Sequence, residues 1–123
     1  MKVFIIIGAI NAMVAVACGA FGAHALEARL EPKYLDVWKT GVTYQMFHAL
    51  GIIAIGILSG NVPASSLLSW SGWLMTAGII IFSGSLYILS TSGIKILGAI
   101  TPIGGVAFIV GWFLLILFAI RQL

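Results

Sequence analysis

Between residues 40 and 123 the chain carries only two formally charged side chains, Lys95 and Arg121. A charge at the centre of a membrane helix costs roughly 2.5–3.5 kcal/mol by insertion scales. So long a stretch without one is the composition of a segment placed in hydrocarbon. Charged residues make up 7% of the whole chain, where a soluble domain carries about 25%, and no soluble surface can be assembled from so few. Three long apolar runs follow residue 40 and a fourth occupies 3–25. A spanning helix needs about 20 mostly apolar residues, so four spans and three short connections account for the length. The fold class expected is all-α. We read a polytopic four-helix transmembrane bundle, one domain over 1–123, with spans near 3–26, 40–59, 67–90 and 94–120.

The N-terminal run resembles a signal peptide, with Lys2 ahead of apolar residues and Ala15-Val16-Ala17-Cys18 faintly like a lipoprotein cleavage site. The apolar run continues past Cys18 to Leu26, which is spanning length rather than signal length. Ala15 also stands where a lipobox usually has Leu, so cleavage is not expected. A single cysteine allows no disulfide within the chain.

Gly8, Ala12, Ala15, Gly19 and Gly22 recur in the first span at three- and four-residue spacing. Such a small-residue stripe lets helix backbones approach closely in lipid. Asn11 lies in the same span. Small four-span drug exporters rely on a titratable carboxylate there. No Asp or Glu falls inside any span of this chain and Asn11 cannot titrate, which argues against proton-coupled export and for Asn11 as inter-helix glue. The first connection carries six of the nine charges, from Glu27 to Lys39. Pro32 suits a first helical turn. Tyr34, Leu35 and Trp38 then share a face, which predicts a short amphipathic helix over about 32–39 at the headgroup level between spans one and two.

Gly60-Asn61-Val62-Pro63 ends span two, Ser65 or Ser66 can cap span three, and Thr91-Ser92-Gly93 makes the last connection. Gly98, Thr101, Pro102, Gly104 and Gly105 cluster near the start of span four. The Pro102 ring presses on the carbonyl of Gly98, where the backbone is forgiving, so a kink without a full break is expected. Counting Lys and Arg in short loops puts Lys2 and Arg121 on one side and Arg29, Lys33, Lys39 and Lys95 on the other. The positive-inside rule therefore places both termini outside and the 27–39 loop in the cytoplasm of a multi-pass cell-membrane protein.

Polar groups inside spans are the natural functional candidates. They gather at one end of the first helix pair: His24, Glu27, Thr40, Tyr44, Gln45 and His48, with Thr101 from span four. The functional reading of the histidines is a proton relay, a metal site or a haem site. The plainer one is that His48 bonds a neighbouring helix through Tyr44, Gln45 or Thr101 and that His24 pairs with Glu27. Two histidines at different depths make a poor metal set, and no metal or cofactor is expected. No nucleophile–base pair, phosphate loop or carboxylate dyad is present, so the case for an enzyme has little to stand on and the question stays open. The six scattered Lys and Arg do not make a nucleic-acid surface. The expected partners are the lipid bilayer and either further copies of the chain or another membrane protein.

Gly19-Ala20-Phe21-Gly22-Ala23-His24-Ala25-Leu26 resembles a signature of the domain-of-unknown-function family 423 (DUF423). So do Trp38-Lys39-Thr40-Gly41 with Tyr44-Gln45, His48-Ala49-Leu50-Gly51, Gly84-Ser85-Leu86-Tyr87 and Gly98-Ala99-Ile100-Thr101-Pro102-Ile103-Gly104-Gly105. The resemblance covers nearly the full chain. It implies a small multi-span membrane protein and carries over no activity, substrate, cofactor or catalytic residue. Three functions stand. The first is a structural or accessory membrane protein acting through helix–helix association. The second is an oligomeric transport or channel unit lined by the 98–105 segment and the polar cluster. The third is a hydrophobic-ligand- or haem-binding protein using His48.

Overall fold

The structure, a computed structural model, describes residues 2–123. Four long helices alternate in direction: α1 (Lys2–Glu27), α2 (Pro32–Ser59), α3 (Ser66–Ser92) and α4 (Leu97–Gln122). Each is long and apolar enough to cross a membrane. At about 1.5 Å per residue they run about 39–42 Å, against a hydrocarbon core of about 30 Å. No strand occurs among the described residues.

The helix ends follow the local chemistry. Pro32 opens α2, where its missing N–H costs nothing. The Ser65 hydroxyl accepts the Leu68 N–H at 3.4 Å and caps α3. Gly93, the one described residue with positive φ (71°), ends α3 in the left-handed region that favours glycine.

The separate amphipathic helix expected over 32–39 is instead the first two turns of α2. No breaker stands between Pro32 and the body of the span. Thr40 bonds back to the Asp36 carbonyl and Thr43 to that of Lys39, so the helix carries on. Span four begins at Leu97 rather than 94. A tightened turn precedes it, with Leu97, Gly98 and Ala99 N–H bonded to the carbonyls of Ile94, Lys95 and Ile96. The helix runs unbroken through Pro102, which falls in its second turn.

Two features were not legible in the sequence. Ala17–Gly22 in α1 and Ile79–Ser83 in α3 are π-helical segments. Each widens the helix by one residue. In the first, the Ala23 N–H reaches the Cys18 carbonyl, five residues back. In the second, Gly84 reaches Ile79. Such bulges are rare and frequent at functional sites.

The apolar core lies toward the end that holds the 60–65 loop and both termini. It comprises Phe4, Ile52, Ile55, Leu68, Met75, Ile79, Phe108 and Phe118. Rings enter holes left by glycines. A Cβ at Gly72 would stand 2.5 Å from the Phe4 ring, and one at Gly78 would meet Phe108. The small-residue stripe of α1 faces α2 inside the bundle. A Cβ at Gly8 would come within 2.7 Å of the Ala49 carbonyl and one at Gly19 within 3.0 Å of Val42. Ala15 is buried and Ala12 half-buried.

Candidate functional site

Toward the other end, where residues 28–31 and 93–96 connect the helices, hydrogen bonds take over from apolar packing. Gln45 is the hub. Its amide donates to Asn11 Oδ1 at 3.1 Å, and its carbonyl oxygen accepts from the Tyr87 hydroxyl at 2.6 Å. Asn11 in turn donates to the Ile7 carbonyl at 2.9 Å. The relay ties α1, α2 and α3 together. The Cys18 thiol lies against the same Tyr87 hydroxyl.

Trp38 completes this region. Its indole N–H donates to the Cys18 carbonyl at 3.0 Å, the carbonyl that the first π-segment pairs with Ala23. Its ring packs on Tyr87 with centroids 4.6 Å apart. Glycines make the room. A Cβ at Gly22 would stand 2.9 Å from the Trp38 ring, and one at Gly41 2.9 Å from Tyr87. The second π-segment sits opposite. Ser83 donates to the Gly41 carbonyl at 2.7 Å, and Gly104 of α4 meets the Phe82 backbone, where a Cβ would lie 2.5 Å from the Phe82 nitrogen.

His48 is separate from this relay. Its Nε2 is 3.0 Å from the Trp112 indole nitrogen and its Nδ1 is 2.7 Å from the Tyr44 carbonyl oxygen. An indole N–H only donates and a carbonyl only accepts. The geometry therefore assigns one neutral tautomer, with the proton on Nδ1 and Nε2 accepting. The ring stacks on Phe108 with centroids 3.5 Å apart. Both nitrogens are engaged within the chain, so a metal or haem iron at His48 would have to displace Trp112.

The sequence-level cluster thus divides. Gln45 enters the relay and His48 pairs with Trp112. Thr101 bonds Ser85 (2.5 Å) and the Leu97 carbonyl, joining α4 to α3. Tyr44 is 41% exposed at the lipid face. Thr40 is exposed and bonds only its own helix. His24 and Glu27 are an exposed pair 3.8 Å apart at the end of α1. Gly98 is exposed, Gly104 is buried against α3, and Gly105 is half-buried. Trp38, Tyr87, Ser83, Ser85 and Trp112 were missed as polar partners. The available signal was that tryptophan N–H and tyrosine O–H groups usually find a partner when buried. Among the described residues no three His, Cys, Asp or Glu stand together as a metal set. No buried side-chain nitrogen or oxygen lacks a hydrogen-bond partner among them either.

Fold and site together define a small polytopic α-helical membrane protein whose polar interior is bonded to itself. The family model described as "Protein of unknown function (DUF423)" matches residues 18–105, and the chain belongs to that family. The match begins at the residue whose carbonyl receives Trp38 and ends at Gly105. A UPF0382 membrane protein of Staphylococcus saprophyticus is 61% identical over 117 residues, covering 95% of this chain and 96% of its own. The UPF0382 membrane protein YwdK of Bacillus subtilis is 56% identical over 123 residues, the whole of both chains. A UPF0382 membrane protein of Staphylococcus aureus (strain USA300) is 57% identical over 117 residues, 95% of this chain and 94% of its own. No solved structure matches the chain.

Proposed function

We propose that this chain is a structural or accessory membrane protein that works through contact with other membrane proteins or with further copies of itself. The observation that carries this reading is the saturation of the interior. Asn11, Gln45, Tyr87, Ser83, Ser85, Thr101 and His48 all spend their polar atoms on one another, on the Trp112 indole or on backbone carbonyls. A transport path needs groups left over for its cargo, and Gly104, in the segment read as a path lining, is closed against Phe82. The small-residue stripe of α1 is used within the chain. Contact with a second protein therefore falls to the outward faces of α1 and α4, the two least-buried spans.

The orientation belongs to the same proposal: both termini outside and the 27–39 loop in the cytoplasm, supported by the two-against-four distribution of Lys and Arg. Reporter fusions at the C-terminus test it, and an active cytoplasmic reporter there would reverse it. The function is tested by cysteine cross-linking in native membranes from outward positions such as Ile10 and Ile109, alongside liposome flux assays. Discrete cross-linked species with no flux support the reading. Flux that is lost in Gln45→Leu while the protein stays folded would replace it with transport.

A further inference from the structure

A cleft of about 380 Å³ opens sideways between α2, α3 and α4 toward the lipid. It is lined by Tyr44, His48, Phe82, Gly105, Phe108, Ile109 and Trp112. Its volume lies in the range of small-molecule sites, about 300–1,000 Å³.

Three features say what would fit it. The first is the walls. Four aromatic rings and an imidazole come from three different helices, and they are already ordered against one another. Tyr44 lies 4.4 Å from Phe82, Phe82 5.5 Å from Phe108, Phe108 3.5 Å from His48 and His48 5.7 Å from Trp112, measured between ring centroids. Aromatic faces in this arrangement select a flat ring, which gains stacking contacts beyond its buried area. A flexible acyl chain gains nothing that aliphatic walls would not supply as well.

The second feature is Gly105. A Cβ there would meet nothing closer than Phe82 Cδ2 at 3.9 Å. Unlike its neighbour Gly104, it is not needed for helix contact, and the absent side chain leaves the cleft open.

The third is polarity. The His48 nitrogens and the Trp112 N–H are committed to each other and to the Tyr44 carbonyl. The Tyr44 hydroxyl makes no hydrogen bond to any described residue. The Tyr44 backbone sits about 7.5 Å along the helix beyond Lys39, the last charged residue of α2, at about 1.5 Å per residue. The cleft therefore offers one unspent hydroxyl beside packed rings, which suits a flat ligand carrying an acceptor oxygen.

We propose that this cleft binds a membrane-soluble planar ring with a carbonyl oxygen, of the quinone class, packed against the accessible parts of Phe82 and Trp112 over the buried His48–Phe108 stack and held by a hydrogen bond from the Tyr44 hydroxyl. The inference is independent of the scaffold reading above, since it concerns the lipid face and not the interior relay.

The experiment titrates 2-methyl-1,4-naphthoquinone into the full chain in lipid nanodiscs, followed by calorimetry, with empty nanodiscs subtracted. The expected result is saturable binding at one site per chain. Tyr44→Phe should weaken it about tenfold, the worth of one hydrogen bond. Gly105→Leu should abolish it by filling the cleft while leaving every hydrogen bond named here in place. Should Gly105→Leu lower the melting temperature, Tyr44→Phe still decides, because it removes one hydroxyl from a partly exposed ring. Uptake indistinguishable from empty nanodiscs, as expected of a groove filled by acyl chains, would overturn the proposal. So would saturable binding that Tyr44→Phe leaves unchanged.

Discussion

The two π-segments of this protein sit on equivalent helices, α1 and α3, and toward the same end of the bundle, yet they are held in different ways. Ala17–Gly22 has no buried residue. One side chain secures its widened turn, Trp38, whose indole N–H meets the Cys18 carbonyl. Ile79–Ser83 buries Ile79 and Ser83, is bonded through Ser83 to the backbone of α2, and receives Gly104 against the Phe82 backbone. The first is a peripheral bulge pinned from outside. The second is the point where α2, α3 and α4 meet. A widened helix turn exposes backbone, and that backbone can be satisfied either by a long side chain reaching in or by another helix moving close. Glycine decides which. Gly22 makes room for an indole, and Gly104 makes room for a helix.

The sharpest way to break this comparison is Gly104→Val. Its branched side chain would enter the Phe82 backbone, which cannot swing aside as a side chain can. We expect about 3 kcal/mol of destabilisation or outright loss of folded protein, measured by denaturation in detergent or by the amount accumulated in membranes. Near-wild-type stability would mean that the second π-segment is not a packing centre. Next in size is Gln45→Leu, which strands the Tyr87 hydroxyl and one Asn11 oxygen. Interhelical hydrogen bonds in lipid are worth about 0.6–2 kcal/mol, and two are lost, so we expect about 2 kcal/mol in the same assay. Paired with Asn11→Leu, a non-additive double mutant would show the relay acting as one unit.

Trp38→Phe tests the first π-segment. It removes one bond and keeps most of the ring, for an expected loss of about 1 kcal/mol. Its tryptophan fluorescence is not the readout, because Trp70, Trp73 and Trp112 remain. Thermal retention of helical circular dichroism is. A loss larger than that of Gln45→Leu would reverse the ranking of the relay and the first π-segment. The smallest effect is expected for Gly84→Ala. A Cβ there meets nothing within 4 Å although the glycine directly follows the second π-segment. Stability should stay within about 0.5 kcal/mol of wild type, or rise slightly from the better helix former. A marked loss would show that Gly84 is needed for the π-turn itself rather than for space.

Much of the fold was legible in one dimension. Spans, the Ser65 cap and the Gly93 stop depend on local composition and on backbone groups a few residues apart. The amphipathic pattern of 32–39 was real, yet a polar stretch that keeps helical spacing looks the same whether it lies along the membrane surface or continues into a span. The candidate site was only partly visible. Gln45 and His48 were singled out because they are polar in an apolar run. Their partners Asn11, Tyr87 and Trp112 lie 34, 42 and 64 residues away. Thr40 and Tyr44 shared a helical face with His48 by spacing, but small differences in rotation turned Thr40 outward and left Tyr44 at the lipid.

By itself the sequence determined that this chain forms four helices long and apolar enough to cross a membrane, and roughly where they lie. Those outcomes follow from transfer energies and caps that each segment settles alone. Only the tertiary structure decided which polar groups pair, which glycines are filled by neighbouring rings and where the helices widen into π-turns. The physical reason is the solvent. In lipid, apolar side chains gain little by choosing protein over hydrocarbon, so hydrophobic periodicity does not tell an inward face from an outward one. The choice passes to close backbone approach and to hydrogen bonds, and both depend on how four helices are rotated against one another.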